Sequence, residues 1–298
     1  MEHASSVIEA SAPAFVEHRI HQGQGELYAR DYAGAGPALV MLHGFPDNLH
    51  IFDHLIPHLV GAGRRVVAFD FLGFGASAKS PDFTYGFEQQ LADLDAVVER
   101  LALDRIVPVA HDAGGPTAVN YALRHPEHTA SVCLFNCFYG SAPNLKFPEL
   151  IELFATAPLK ALTREILMAP EIFAWILNFQ RRQFQSVISQ AQAQHYKDFL
   201  GPVIDQNFRQ KPSAGPAFAR MTSLAYDEVR KNDGRLAELG RLEVPFRLIW
   251  GEYDAYLNRD VAQDLASKFR NSSLVFLPSR HWPQIDQPED VARVMLEE

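Results

Sequence analysis

Two cysteines, Cys133 and Cys137, are all that the 298 residues contain. So few exclude a disulfide framework, and two reduced thiols in a cytoplasmic protein are the simplest reading. The chain also lacks a stretch of about 18 consecutive apolar residues, so no membrane span is expected. Its opening, MEHASSVIEASAPAF, has no basic segment followed by an apolar one and does not read as a signal peptide. Positive charge is scarce. The 27 Lys and Arg stand against 36 Asp and Glu, a formal net charge of −9, which argues against nucleic acid and anionic membrane as partners. There is no block of like charges, no internal repeat and no low-complexity tract. What is abundant is core material: 47% of residues are hydrophobic and 11% aromatic, enough for one large domain or two modest ones.

Apolar runs and helical patterns alternate along the chain. FVEHRIHQ and GELYARDYAG read as an opening hairpin. ALVMLHG (38–44), RRVVAFD (64–70), RIVPVA (105–110) and SVCLFN (131–136) have the near-continuous apolarity of strands buried on both faces. Between them lie helix-like segments at about 49–62, 85–103 and 115–124. The order predicts an α/β fold with a mostly parallel central sheet flanked by helices. From 138 to 222 no strand pattern is evident; it resumes with PFRLIWG and SSLVFLP and closes on a helix after Gln287. The expected organisation is a first core part (1–137), a helical cap (138–222) and a second core part (223–298).

Within VAHDAGGPTAV (109–119), Asp112 stands on a strand-to-helix turn between small residues, where such turns commonly carry a serine nucleophile. Alone, an aspartate beside glycines is usually a turn residue. Three companions change the balance. HGFP (43–46) ends an earlier strand, so the backbone N–H groups of Phe45 and Ala113 could form an oxyanion hole. GEYDAYL places Asp254 just beyond one later strand, and SRHWPQIDQPE places His281 just beyond the next. All four segments fall at carboxyl ends of strands, where sites collect in such sheets.

HGFP, DFLGFGAS, AHDAGG, GEYDAYL and RHWPQIDQPE are similar to the α/β-hydrolase fold. More narrowly, they resemble its haloalkane dehalogenase and epoxide hydrolase branch, in which Asp replaces Ser. The resemblance implies a helical cap, no cofactor or metal, a small apolar organic substrate and water as co-substrate. It implies Asp112 as nucleophile, Asp254 as acid and His281 as base. A carboxylate with a reference pKa near ~3.9 is already anionic at neutral pH and needs no base to activate it. It suits displacement at a saturated carbon, giving an alkyl ester on Asp112. His281, oriented by Asp254, would then activate the water that hydrolyses it.

The branch pattern is incomplete. Dehalogenases of this kind place a halide-holding tryptophan right after the nucleophile; here Ala113 follows. Trp175 of the cap falls where a second donor is expected, and Trp282 beside His281 could also line the site. Epoxide hydrolases use cap tyrosines to protonate the opening alkoxide, and Tyr139, Tyr196 and Tyr226 are candidates. The expectation is therefore a dehalogenase-like hydrolase releasing halide and an alcohol. The alternatives are an epoxide hydrolase giving a diol and a non-catalytic binding protein on the same fold, as a monomer or a small homo-oligomer.

Other patterns have plainer readings. His50, His54 and His58 would share one stripe of a helix over 49–62, but no carboxylate or Cys completes a zinc site there. GFGASA (73–78) satisfies a weak dinucleotide fingerprint, yet Lys79-Ser80-Pro81 follows where its helix should begin, which predicts a tight loop. Asn136 occupies a position where some relatives carry the triad acid; an amide cannot supply that charge, which favours Asp254.

Overall fold

The computed structural model describes residues 12–23, 25–185 and 190–297, and leaves the side chains of 185–192 undescribed. Eight strands form one sheet in the order β1-β2-β4-β3-β5-β6-β7-β8. They are β1 (Val16–Gln22), β2 (Gly25–Tyr32), β3 (Ala35–Leu42), β4 (Arg64–Asp70), β5 (Ile106–Asp112), β6 (Val132–Cys137), β7 (Phe246–Gly251) and β8 (Ser272–Leu277). The expected hairpin is β1–β2, paired antiparallel from Val16↔Asp31 to Gln22↔Gly25, and β2 is antiparallel to β4. Every other pairing is parallel. The sheet is thus the mostly parallel one that the apolar runs imply.

Central strands are buried along nearly their whole length because both faces are covered. On one face α2 (Phe87–Arg100), α3 (Gly114–Arg124) and α11 (Arg259–Lys268) close over Val40, Leu42, Ala110, Leu134 and Trp250. On the other, α1 (Ile56–Gly61), α12 (Pro283–Asp286) and α13 (Pro288–Leu296) cover Met41, Val109, Phe135 and Ile249. Burial at ~25 cal/mol per Å² of apolar surface is the main force holding such layers together.

The segment expected as one helix over 49–62 is broken. A 3-10 turn at Leu49–Phe52 is capped by the Asn48 side chain on His50 N at 3.0 Å and held by Asp70 Oδ1 on Leu49 N at 2.8 Å. Helix α1 starts only at Ile56, with proline in its first turn. His50, His54 and His58 therefore do not share a helical stripe. Residues 73–78 form the expected tight loop, with φ of +97° at Gly73 and +50° at Gly75.

Between β6 and β7 the chain is helical, with α4 (Glu149–Ala155), α5 (Lys160–Met168), α6 (Pro170–Gln185), α7 (Gln190–His195), α8 (Gly201–Arg209), α9 (Gly215–Asp233) and α10 (Leu236–Leu239). A π-helical turn, Tyr196–Leu200, joins α7 to α8. Helix α9 runs unbroken through residue 222, so the end assigned to the cap falls inside a helix that continues toward the core. This layer has its own small core of Leu150, Ile151, Phe154, Ile166, Phe173, Leu177 and Phe218. No helix among the described residues is long and apolar enough to cross a membrane.

Candidate active site

Strand order reverses at β3: the chain passes first to β4 on one side and then to β5 on the other. Loops leaving β3 and β5 diverge there and open a crevice at their carboxyl ends. Asp112 ends β5 with φ +49°, a conformation that non-glycine residues seldom adopt, and α3 begins two residues later. Close packing makes this turn possible. A Cβ at Gly114 would lie 2.6 Å from the Leu42 carbonyl oxygen, and one at Gly44 would lie 2.6 Å from Asp112 Cβ.

The Asp112 carboxylate faces the end of β3. Its Oδ2 accepts from Phe45 N at 3.3 Å, and the neighbouring Ala113 backbone N–H favours its ionised form. The loop carrying Phe45 is fixed from two sides. His43 Nε2 accepts from Phe71 N at 3.1 Å, which leaves the proton on Nδ1 to donate to Gly44 O at 2.6 Å. From the cap, Asn207 Nδ2 donates to Pro46 O at 2.6 Å and Asp47 O at 2.8 Å.

His281 Nδ1 is 2.7 Å from Asp254 Oδ2, and its Nε2 is 4.0 Å from Asp112 Oδ1. Asp254 is fully bonded: Oδ1 accepts from Tyr256 N (2.9 Å) and Leu257 N (3.1 Å), and Oδ2 accepts from Asn136 Nδ2 (2.8 Å) as well as His281. Asn136 Oδ1 in turn accepts from Gly251 N at 2.7 Å. Although burial alone would raise the Asp254 carboxyl, His281 and these donors hold it below its ordinary value. Burial would lower the His281 imidazole, but Asp254 and then Asp112 outweigh it and raise it to about 9. Burial raises Asp112 against the opposing pull of His281.

A second acid–histidine pair lies behind the first. His111 Nε2 donates to the His281 carbonyl at 2.8 Å, and its Nδ1 lies 3.6 Å from Asp47 Oδ2. Trp282 Nε1 donates to that same Asp47 oxygen at 3.1 Å. Alternation along β5 puts His111 on the face opposite Asp112, so it braces the His281 loop rather than the cavity. Asp47 and His111 escaped sequence reasoning; the one available signal was position, Asp47 directly after HGFP and His111 directly before Asp112 within AHDAGG.

A cavity of about 960 Å³, mouth included, joins Asp112 and His281 to the cap. Its walls are chiefly apolar and aromatic, among them Phe45, Phe138, Phe147, Ile151, Leu177, Phe184, Ile204 and Trp282, with Tyr196 and Tyr256 as phenols. Such a lining accommodates an apolar organic molecule. The structure brings together Asp112, Asp254, His281, Phe45, Ala113 and Trp282, but not Trp175. That side chain is 61% exposed and stacks on Phe179 with ring centroids 6.0 Å apart. Helix α6 turns Leu177, Gln180, Arg181 and Phe184 to the cavity, and Trp175, two positions before Leu177, lies about 200° around the helix from that face. Trp282 lines the cavity, though its indole N–H is bonded to Asp47.

Of the three tyrosines considered from sequence, only Tyr196 lines the cavity; its hydroxyl donates to Asp286 Oδ2 at 2.9 Å. Tyr139 donates to Asn120 in the core, and Tyr226 to Glu152 on the surface. Tyr256 was missed, although it sits two residues past Asp254. Its hydroxyl donates to Glu149 Oε2 at 2.6 Å and accepts from Gln180 Nε2 at 2.8 Å. Burial, and then Glu149, raise this phenol beyond its ordinary range.

The family model described as the alpha/beta hydrolase fold matches residues 37–288. The pig protein named bifunctional epoxide hydrolase 2 is 25% identical over 89% of this chain, which spans only 51% of that longer protein. Haloalkane dehalogenase 2 of Mycobacterium bovis is 26% identical over 89% of this chain and 88% of its own. The solved structure of epoxide hydrolase CorEH superposes with a TM-score of 0.74 at 18% identity, covering 95% of this chain and 98% of that one. At that identity the likeness speaks for the fold alone.

Proposed function

The chain belongs to the α/β-hydrolase fold family and is a hydrolase, and on that premise we propose that it opens small apolar epoxides to diols through an alkyl ester on Asp112. Asp112 attacks a ring carbon; the C–O bond breaks, and the alkoxide takes a proton from a phenol lining the cavity, Tyr196 or Tyr256. A water held near His281 then loses a proton to Nε2 as its oxygen bonds the ester carbon. The Phe45 and Ala113 N–H groups stabilise the resulting oxyanion, and its collapse releases the diol and restores Asp112.

Charge explains how one imidazole fits both steps. While Asp112 is ionised, two carboxylates hold His281 protonated. Esterification removes the Asp112 charge, the farther of the two carboxylates, so the imidazole becomes less basic; it passes its proton to the phenolate left by the first step, which frees Nε2 to take one from water. The 4.0 Å between His281 Nε2 and Asp112 Oδ1 exceeds a hydrogen bond, which suits a histidine that serves water rather than the nucleophile.

The observation that carries the epoxide reading over the dehalogenase one is the set of donors at the cavity. Two phenols line it; their O–H groups donate to Asp286 and Glu149 but can rotate about the C–O bond, whereas Trp175 faces outward, Ala113 has no side-chain donor and the ring-fixed Trp282 N–H is engaged with Asp47. The apolar wall still admits bromoalkanes, so the deciding experiment is a panel of styrene-type epoxides and bromoalkanes read by diol formation and halide release. Diol formation as the faster activity, abolished in Asp112→Asn, supports the proposal. Halide release with no diol would assign the dehalogenase activity instead. The same fold serving only to bind would give no turnover of either class.

A further inference from the structure

The outward face of α6 is an apolar surface that is exposed among the described residues. Ile172, Trp175 and Phe179 follow i, i+3, i+7 spacing along it; Ile172 is 48% and Trp175 61% exposed. Met168, 77% exposed, ends α5 two residues before α6 begins, and Leu162 on the same helix is 51% exposed. Exposed apolar side chains aligned on one helix face mark a place where another molecule can pack, and Trp and Met are among the residues enriched where proteins meet. Nothing in the hydrolytic scheme uses these side chains.

We propose that this face docks on the same face of a second copy of the chain, with the two α6 helices antiparallel about a two-fold axis. Charge complementarity identifies the occupant. Glu171 lies in the first turn of α6 and Arg182 in the last, both exposed. Eleven positions apart, they are separated by about three turns and lie along one edge of the apolar stripe. A two-fold axis crossing an antiparallel helix pair brings that edge against itself with its ends exchanged, so each Glu171 meets the Arg182 of the other copy. The midpoint of this charge pair falls near Trp175, which would pack at the centre of the contact, the usual place for a dominant anchor. A lipid surface fits less well, because Glu165 and Glu171 rim the patch together with Lys160, Arg164 and Arg182; bilayers favour basic rims. The inner face of the same helix lines the catalytic cavity through Leu177, Gln180 and Phe184, so the dimer would also brace the roof of the site.

Light scattering and sedimentation of the full chain test this. At about 100 µM the wild type is expected to run as a dimer, and Trp175→Glu should raise the dissociation constant at least about 30-fold. Glu171→Arg and Arg182→Glu should each weaken the dimer several-fold, and the double exchange should restore it, a result that mere surface damage would not give. Circular dichroism checks that each variant is folded, and the charge exchange decides the matter if Trp175→Glu does not fold. A wild type that stays monomeric at that concentration would overturn the proposal. So would a dimer insensitive to both kinds of variant, or a monomer that instead floats with phosphatidylcholine vesicles.

Discussion

His281 Nε2 and Asp112 Oδ1 stand 4.0 Å apart, while His281 Nδ1 is bonded to Asp254 Oδ2 at 2.7 Å. A serine nucleophile would need the nearer contact, because the imidazole must take its proton. An aspartate has none to give; on the proposed scheme, the separation set by the bond to Asp254 would leave the ester carbon open to water.

Removing the base should split the two steps. His281→Gln is expected to leave alkylation in place and stop hydrolysis, so intact-protein mass spectrometry should show one substrate added per chain. Asp112→Asn should show no adduct and no turnover. A His281→Gln protein that accumulates nothing with an accepted substrate would contradict the two-step scheme.

The phenols should matter for one substrate class only. If a tyrosine protonates the alkoxide, Tyr196→Phe or Tyr256→Phe should slow epoxide opening by about 10²-fold or more. Any bromoalkane turnover should change far less, since bromide leaves without a proton. Pre-steady-state rates with both substrates make the comparison.

Asn136 should set the strength of the Asp254–His281 pair. Asn136→Ala removes a hydrogen bond to a carboxylate, worth about 1.5–3 kcal/mol, and should slow ester hydrolysis by roughly 10- to 100-fold while sparing alkylation. A loss confined to the first step would argue against this role.

Acidity should limit the first step at a higher pH than usual for a carboxylate. Burial raises Asp112, so its ionised fraction, and with it kcat/KM, is expected to rise with pH through a range above the ordinary carboxylate value. A pH–rate profile checks this; an acid limb at or below that value would contradict it.

Asp93 offers a stability counterpart away from the site. Fully buried on α2, it accepts from Leu72 N at 3.0 Å, and burial pushes its carboxyl up to about 8. Ionising it costs more in the folded chain than in the unfolded one. Stability from this group is therefore full at low pH and falls as pH rises from the ordinary carboxylate range through about 8. Thermal melts from about pH 5 to about 9 should show that decline, and Asp93→Asn, which keeps a carbonyl acceptor for Leu72, should flatten it.

Much of this architecture is legible in sequence because local pattern and tertiary demand agree. Near-continuous apolar runs become β3 to β7 since only strands covered on both faces tolerate them. Asp112, Asp254 and His281 are findable because Asp112 ends a strand and the other two follow one within four residues, where the chain must turn at the same edge of the sheet. Trp175 is not, because a cap helix has apolar residues on two faces, Phe173 and Leu177 inward, Ile172 and Trp175 outward. Periodicity does not say which face meets the cavity. Tyr256 and the Asp47–His111 pair are invisible for another reason: their partners lie far away in the chain, and only the folded loops bring them together. The break at 53–55 was hidden because Asp70 reaches Leu49 N from another strand.

A single turnover in heavy-oxygen water tests the central claim most directly. With enzyme in excess over epoxide, the label should appear in the peptide containing Asp112, and the first diol should be unlabelled. Label found directly in the diol, with Asp112 unlabelled, would show that water attacks the substrate carbon and that no ester forms.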